Sequence, residues 1–177
     1  YRIARESVPG LQLALLGLSQ ATDDPEGAKV FQTVVDHAGD DPDIHLYFDP
    51  ATMPVSVDEV VNAVQMASAV LMQKSTREGF GLTVTEGMWK GKPVIGGDAG
   101  GIRVQINDGV SGFLVSSPEE CAQRLVELLK DKSLATRIGE TARESVRQRF
   151  LLPRLALDYL TVAASQVNGR LPGVSGD

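Results

Sequence analysis

Ala69-Val70-Leu71-Met72-Gln73, Lys74-Ser75-Thr76-Arg77-Glu78-Gly79-Phe80-Gly81, Leu82-Thr83-Val84-Thr85-Glu86-Gly87-Met88-Trp89-Lys90 and Pro93-Val94-Ile95-Gly96 form the stretch whose reading decides the fold. The first and last pieces are short apolar runs, which fits strands buried on both faces. Between them stand a glycine-containing loop and a helical segment. A strand, a covering helix and a second strand in that order build a parallel sheet, because parallel strands need a long crossover.

The same alternation extends in both directions. Upstream, Leu11 to Gly17 reads as a strand and Asp23-Asp24-Pro25-Glu26-Gly27 as a turn. Ala28 to His37 reads as a helix with Val30, Phe31, Val34 and Val35 on one side, and Asp43 to Phe48 as a strand. Ser56 with Glu59 three residues on forms a capping-box pattern ahead of a helix over Val57 to Ala67. Downstream come a short helix over Ile102 to Asn107 and a strand over Gly112 to Val115. From Pro118 the pattern is helical, with stripes at Ala122, Leu125, Val126 and Leu129, then Leu134, Ile138, Ala142, Val146 and Phe150. Cys121 is expected to pack among these helices. A last helix is expected over Pro153 to Val167. The fold class is therefore α/β, a Rossmann-like parallel sheet with helices on both faces, ending in consecutive helices. Residues 1–167 are expected to form one domain and 168–177, rich in Gly and Pro, a flexible tail.

Composition removes several classes. A chain of 177 residues with 42% hydrophobic and 23% charged residues buries a core and is neither fibrous nor disordered. Its net charge of −6 gives no basic field for nucleic acid or an anionic membrane surface, and no apolar run spans a bilayer. The single cysteine, Cys121, forms no internal disulfide, which suits a reducing compartment, so a cytoplasmic location is expected. The first residues, from Tyr1, read as the middle of an amphipathic helix without a cap, and a fragment of a longer protein is expected.

In open α/β sheets ligands bind beyond the carboxyl ends of the strands. The loop after Gln73 is the unusual one. Gly79 and Gly81 let a ligand approach the backbone, and the free N–H groups at the start of the Leu82 helix suit an anion such as a diphosphate. From Lys74 to Arg103, five cations (Lys74, Arg77, Lys90, Lys92, Arg103) face three anions (Glu78, Glu86, Asp98), a local positive excess in an acidic chain. Glu78 and Glu86 flank this loop and early helix. Carboxylates accept paired hydrogen bonds from vicinal hydroxyls, as from ribose in dinucleotide sites. The ligand described has hydroxyls on both sides of its phosphates, as a nucleotide sugar has. Two glutamates near a helix start can equally serve as capping groups. Asp41-Pro42-Asp43 matches a metal-binding D-x-D spacing, but it precedes a strand, at the opposite edge of the sheet. His37 and His45 are read as a helix-end residue and a strand residue. Gly96-Gly97 and Gly100-Gly101 either admit a sugar to the backbone or form a flexible turn.

Glu78…Glu86, Met88-Trp89-Lys90-Gly91-Lys92-Pro93-Val94-Ile95, Gly100-Gly101-Ile102 and Asp108-Gly109-Val110-Ser111-Gly112-Phe113-Leu114-Val115 resemble the C-terminal half of a retaining glycosyltransferase of family 4, with the GT-B fold. The resemblance runs from about Leu11 to Leu160. Within that family, Gln73 to Glu86 and Met88 to Pro93 are most similar to the trehalose glycosyltransferring synthases, close relatives of the retaining trehalose phosphorylases. The resemblance implies retaining glucosyl transfer from a nucleoside diphosphate glucose to glucose, forming trehalose. Glu78 would be the catalytic-site carboxylate, holding hexose hydroxyls and positioning the anomeric carbon. Glu86 would hold the ribose hydroxyls. Gly79, Phe80, Gly81, Leu82 and Thr83 would present main-chain amides to the diphosphate, with Lys74 and Arg77 beside it. The loop after Phe48 would hold the base. The reaction would need no metal and no cofactor. The acceptor domain and the first strand of this domain are missing from the pattern, so the acceptor would come from that missing domain, and the chain alone is not expected to turn over. A homodimer is compatible with the family. The alternatives are a trehalose phosphorylase domain and a non-catalytic α/β nucleotide-binding module.

Overall fold

The computed structural model describes residues 1–17 and 25–167. The expected turn residues Asp23 and Asp24, and the expected tail 168–177, lie outside the described residues. The elements run α1 (Arg2–Ser7), β1 (Leu13–Leu16), α2 (Pro25–Ala38), β2 (Ile44–Tyr47), a 3-10 turn (Pro50–Thr52), α3 (Val57–Ala67), β3 (Leu71–Gln73), α4 (Leu82–Trp89), β4 (Val94–Gly97), α5 (Gly100–Gln105), β5 (Phe113–Val115), α6 (Pro118–Lys130), α7 (Lys132–Arg149) and α8 (Leu152–Val167). The alternation read from the sequence is the alternation found. Ser56 and Glu59 form a reciprocal capping box at α3, and the Ser56 hydroxyl holds the Glu59 carboxyl below its usual pKa. α2 starts three residues earlier than expected, because Pro25 fits a first helical turn, where its missing N–H costs nothing.

All strand pairs are parallel, in two groups of order β2-β1 and β3-β4-β5. Among the described residues no ladder joins β1 to β3. A doubly wound sheet of order 3-2-1-4-5-6 has these same neighbours once its first strand is taken away.

The larger group is covered on both faces, and β4 is buried at every position. Successive strand side chains point to opposite faces. Ile95 accordingly enters one core with Phe113, Val115 and the α6 side chains Cys121, Ala122, Leu125 and Leu128. Val94 enters the other with Val84 and Met88 of α4, Ile102 of α5, and Ala142 and Val146 of α7. Cys121 is thus part of the helical packing, and burial pushes its thiol pKa up. Met88 has no exposed surface and is core.

The smaller group departs from expectation. β1 and β2 were expected to be buried on both faces and are half-buried throughout. Val30 and Phe31 on α2, expected on its inner side, are 64% and 40% exposed. A pair of strands with one shared edge offers too little surface to cover both the strands and the apolar stripe of α2. α8 is exposed along Leu152, Leu155, Leu157, Tyr159, Leu160 and Val162.

α4 and α7 approach closely because Gly139 faces Gly91. A methyl at Gly139 would stand 2.1 Å from the Gly91 carbonyl oxygen. Gly139→Ala is therefore expected to cost about 1–3 kcal/mol through overpacking, read as a lower urea midpoint with an unchanged slope.

Candidate functional site

The loop Lys74 to Gly81 leaves the carboxyl end of β3 and enters α4, beside the carboxyl end of β4. Its course is set by the neighbouring glycines. A Cβ on Gly97 would lie 2.2 Å from the Ser75 carbonyl oxygen, one on Gly100 1.9 Å from that of Glu78, and one on Gly101 2.3 Å from that of Gly79. The amide of Gly101 donates to the Glu78 carbonyl at 3.3 Å. Beside the two readings left open for these glycines, a sugar at the backbone or a flexible turn, the structure gives Gly97, Gly100 and Gly101 another role, close packing against the backbone of the loop itself, while Gly96 faces the Ile102 and Ile106 side chains. Gly81 takes the left-handed conformation, φ 84°, that turns this backbone into α4.

The start of α4 has no side-chain cap. The Val84 amide is taken by the Gly81 carbonyl at 3.0 Å, while among the described residues the Leu82 and Thr83 amides have no partner. Two main-chain donors at the positive end of a helix are therefore left without a protein partner among the described residues. The Gly79 amide, expected to be free for ligand, is engaged by the Glu78 carboxylate at 3.1 Å.

Glu78 is half-buried and held before any ligand arrives. Its Oε2 accepts from the Ser75 hydroxyl at 3.1 Å and lies 3.5 Å from the Gln73 amide nitrogen, which also donates to Ser75 at 2.9 Å. Glu86 is exposed, and its carboxylate accepts from the Gln65 amide at 2.9 Å. Gln65 is 4% exposed, and its own oxygen accepts from the Lys90 ammonium at 2.5 Å. The chain Lys90–Gln65–Glu86 thus fixes the second carboxylate from α3.

Three of the five local cations are committed elsewhere. Lys90 serves Gln65, Lys92 donates to the Met66 carbonyl at 2.6 Å, and Arg103 pairs with Asp98. Lys74 and Arg77 are exposed on the loop, and no ion pair or hydrogen bond is made by either among the described residues. Lys74 and Arg77 are therefore the cations left at the site, balanced in number by the carboxylates Glu78 and Glu86, so the positive excess counted from Lys74 to Arg103 does not persist at the loop itself. Phe80 turns its ring to Phe150, with centroids 5.7 Å apart, so it meets the site through its backbone.

Of the other sequence candidates, Asp41, Asp43 and the two histidines are engaged elsewhere, while the loop after Phe48 follows the carboxyl end of β2. Asp41 and Asp43 lie before β2 and accept the two arms of Arg5 at 2.7 and 2.8 Å, tying α1 to that turn. His37 contacts the Thr33 carbonyl at 2.8 Å, and His45 the Gln12 side chain at 3.1 Å. The loop after Phe48 is shaped by Asp49, whose carboxylate accepts from the Ala51 amide at 2.9 Å.

The sequence reading missed Gln65, Gln73, Ser75 and Gln105. Gln65 and Gln105 had a signal, since each is a polar residue at an apolar helical spacing, Val61 to Gln65 and Ile102 to Gln105.

A parallel α/β domain ending in consecutive helices is similar in fold to the C-terminal domains of GT-B glycosyltransferases. A UDP complex of Anabaena Alr3699/HepE superposes with a TM-score of 0.72 at 22% identity, over 93% of this chain and 44% of that one. Residues 8–145 match the family described as glycosyl transferases group 1, and the chain belongs to that family. It is 44% identical to a trehalose synthase of Pyrococcus horikoshii over 165 residues, which is 93% of this chain and 39% of that protein. It is also 35% identical to a trehalose phosphorylase of Pleurotus pulmonarius over 130 residues, 71% of this chain and 18% of that protein. The chain thus spans well under half the length of these relatives.

Proposed function

We propose that this chain is the donor half of a retaining glucosyltransferase that forms trehalose from a nucleoside diphosphate glucose and glucose. The observation that carries the reading is the pair Glu78 and Glu86, each pre-set by neutral donors, on either side of an uncapped helix start. Glu78 holds hexose hydroxyls near the anomeric carbon and Glu86 holds the ribose. The Leu82 and Thr83 amides, Lys74 and Arg77 stabilise the leaving diphosphate, each charge-assisted hydrogen bond contributing about 1.5–3 kcal/mol. The acceptor pocket belongs to another domain of the polypeptide. A cytoplasmic enzyme, as a homodimer, fits this reading. The 44% identity to a trehalose synthase favours the synthase over the phosphorylase.

Calorimetric titration with UDP, ADP, GDP and inorganic phosphate tests it. Binding of one nucleoside diphosphate, weakened about tenfold by Glu86→Ala, is expected. Binding of phosphate with indifference to all three nucleotides would instead support the phosphorylase, and ligand binding that survives loss of both glutamates would support a non-catalytic module. No step of the reading uses a metal, so turnover of the full-length enzyme is expected to be unchanged in EDTA.

A further inference from the structure

Gln105 ends α5 with no exposed surface, although it carries a full amide. A buried amide is tolerated only when its hydrogen bonds are made, and the partners of this one are telling. Its nitrogen donates to the Phe80 carbonyl and lies 3.3 Å from the Gly81 carbonyl oxygen. Its oxygen accepts the Thr85 hydroxyl. The chemistry fixes which end is which, because carbonyls can only accept and the hydroxyl is free to donate. One side chain therefore grips the last two carbonyls before α4 and the first turn of α4 itself.

The consequence lies in the peptide plane. A trans peptide points its N–H opposite to its C=O. With the Phe80 and Gly81 carbonyls drawn inward to Gln105, the N–H groups of Gly81 and Leu82 must face the other way, out over the carboxyl edge of the sheet. We infer that Gln105 is a positioning residue of the donor site, setting the direction of the Gly81 and Leu82 amides, the second of which is one of the two assigned above to the diphosphate. The inference rests on the donor-site reading above. Gln105 is fully buried and acts through Phe80, Gly81 and Thr85, its nitrogen also lying 3.5 Å from the Gly101 carbonyl oxygen of its own helix.

The test compares the full-length protein with its Gln105→Met variant, which keeps the length and apolar stem and loses both hydrogen-bonding ends. UDP, ADP and GDP are titrated alongside uridine, adenosine and guanosine. For the base that binds, the expected result is a diphosphate affinity weakened about tenfold to a hundredfold, the worth of a charge-assisted hydrogen bond, with nucleoside affinity within about twofold of the unsubstituted protein. Equal weakening of nucleoside and diphosphate would mean a merely structural role and would overturn the inference, as would an unchanged diphosphate affinity. Should Gln105→Met fail to fold, Thr85→Val carries the same comparison, because it frees the amide oxygen that Thr85 orients. Unchanged diphosphate binding there also overturns the inference. If the unsubstituted protein binds no nucleoside diphosphate, the donor-site reading fails first and the role of Gln105 falls with it.

Discussion

Replacing Glu78 with alanine in the full-length enzyme is expected to lower kcat for glucosyl transfer about 10²–10³-fold, the usual cost of removing one preorganised electrostatic contact, while donor KM moves by less than about threefold. The expectation follows from how the carboxylate is held. An ionised carboxylate accepts up to about four hydrogen bonds. Ser75, Gln73 and the Gly79 amide occupy part of that capacity and fix its direction. What remains is available to sugar hydroxyls at no further cost in ordering. Its main-chain carbonyl is also bound, to Gly101, so deletion of the side chain should leave the loop in place. Glu78→Gln separates charge from shape, because an amide keeps one acceptor and sets a donor where the carboxylate accepted. It is expected to be nearly as slow as the alanine variant. Glu86→Ala should show the complementary pattern, with a raised donor KM and a kcat within a few-fold. Steady-state release of nucleoside diphosphate reads all three variants, and equal tolerance of Glu78→Ala and Glu86→Ala would remove both assigned roles.

Much of this was legible in the residues because it is local. Strand and helix positions follow from apolar spacing and from punctuation by Gly and Pro, so β3, α4 and β4 lie where Ala69 to Gly96 placed them. The glycine loop and the uncapped helix start after it were legible because glycines and a helical pattern combine within one short run. What escaped depends on partners distant in the chain. The apolar face of α2 could be read from Val30, Phe31, Val34 and Val35, but no pattern within α2 tells whether another element covers it. Two of these side chains stay substantially exposed. The cation count read a positive excess from Lys74 to Arg103, yet Lys90, Lys92 and Arg103 turn to Gln65, Met66 and Asp98, leaving Lys74 and Arg77 beside Glu78 and Glu86. Gln65 and Gln105 are single polar residues in apolar stripes, and their meaning appears only when α3 and α5 are brought against the loop. The doubled glycines gave the opposite difficulty. They suggested a ligand approaching the backbone, and the backbone that approaches is the loop.

That contact carries the second large effect. Gly100→Ala is expected to displace the loop and cut donor binding and turnover by about 10²-fold or more, since a misplacement of about 1 Å at a reacting centre costs that much. Two separate causes act at this position. Gly100 has φ +41°, where an alanine is strained by about 1–2 kcal/mol. Its new methyl would also start 1.9 Å from the Glu78 carbonyl oxygen, and backbone cannot rotate away as a flexible side chain does. The loop must move by more than an ångström, carrying Glu78 and the α4 amides off the geometry set by Gln105 and Gly101. Controls in the same protein separate the causes. Gly109 has φ +71° with nothing within 4 Å of an added Cβ, so Gly109→Ala should show strain alone, a lowered melting temperature with donor affinity intact. Gly79 has open space and no positive φ, so Gly79→Ala should leave the melting temperature nearly unchanged. Gly101→Ala has ordinary backbone angles but a Cβ 2.3 Å from the Gly79 carbonyl oxygen, and should lose donor binding as Gly100→Ala does. If Gly101→Ala bound donor as the unsubstituted protein does while Gly100→Ala did not, strain rather than displacement of the loop would be the cause, and the glycine floor would have no part in shaping the site.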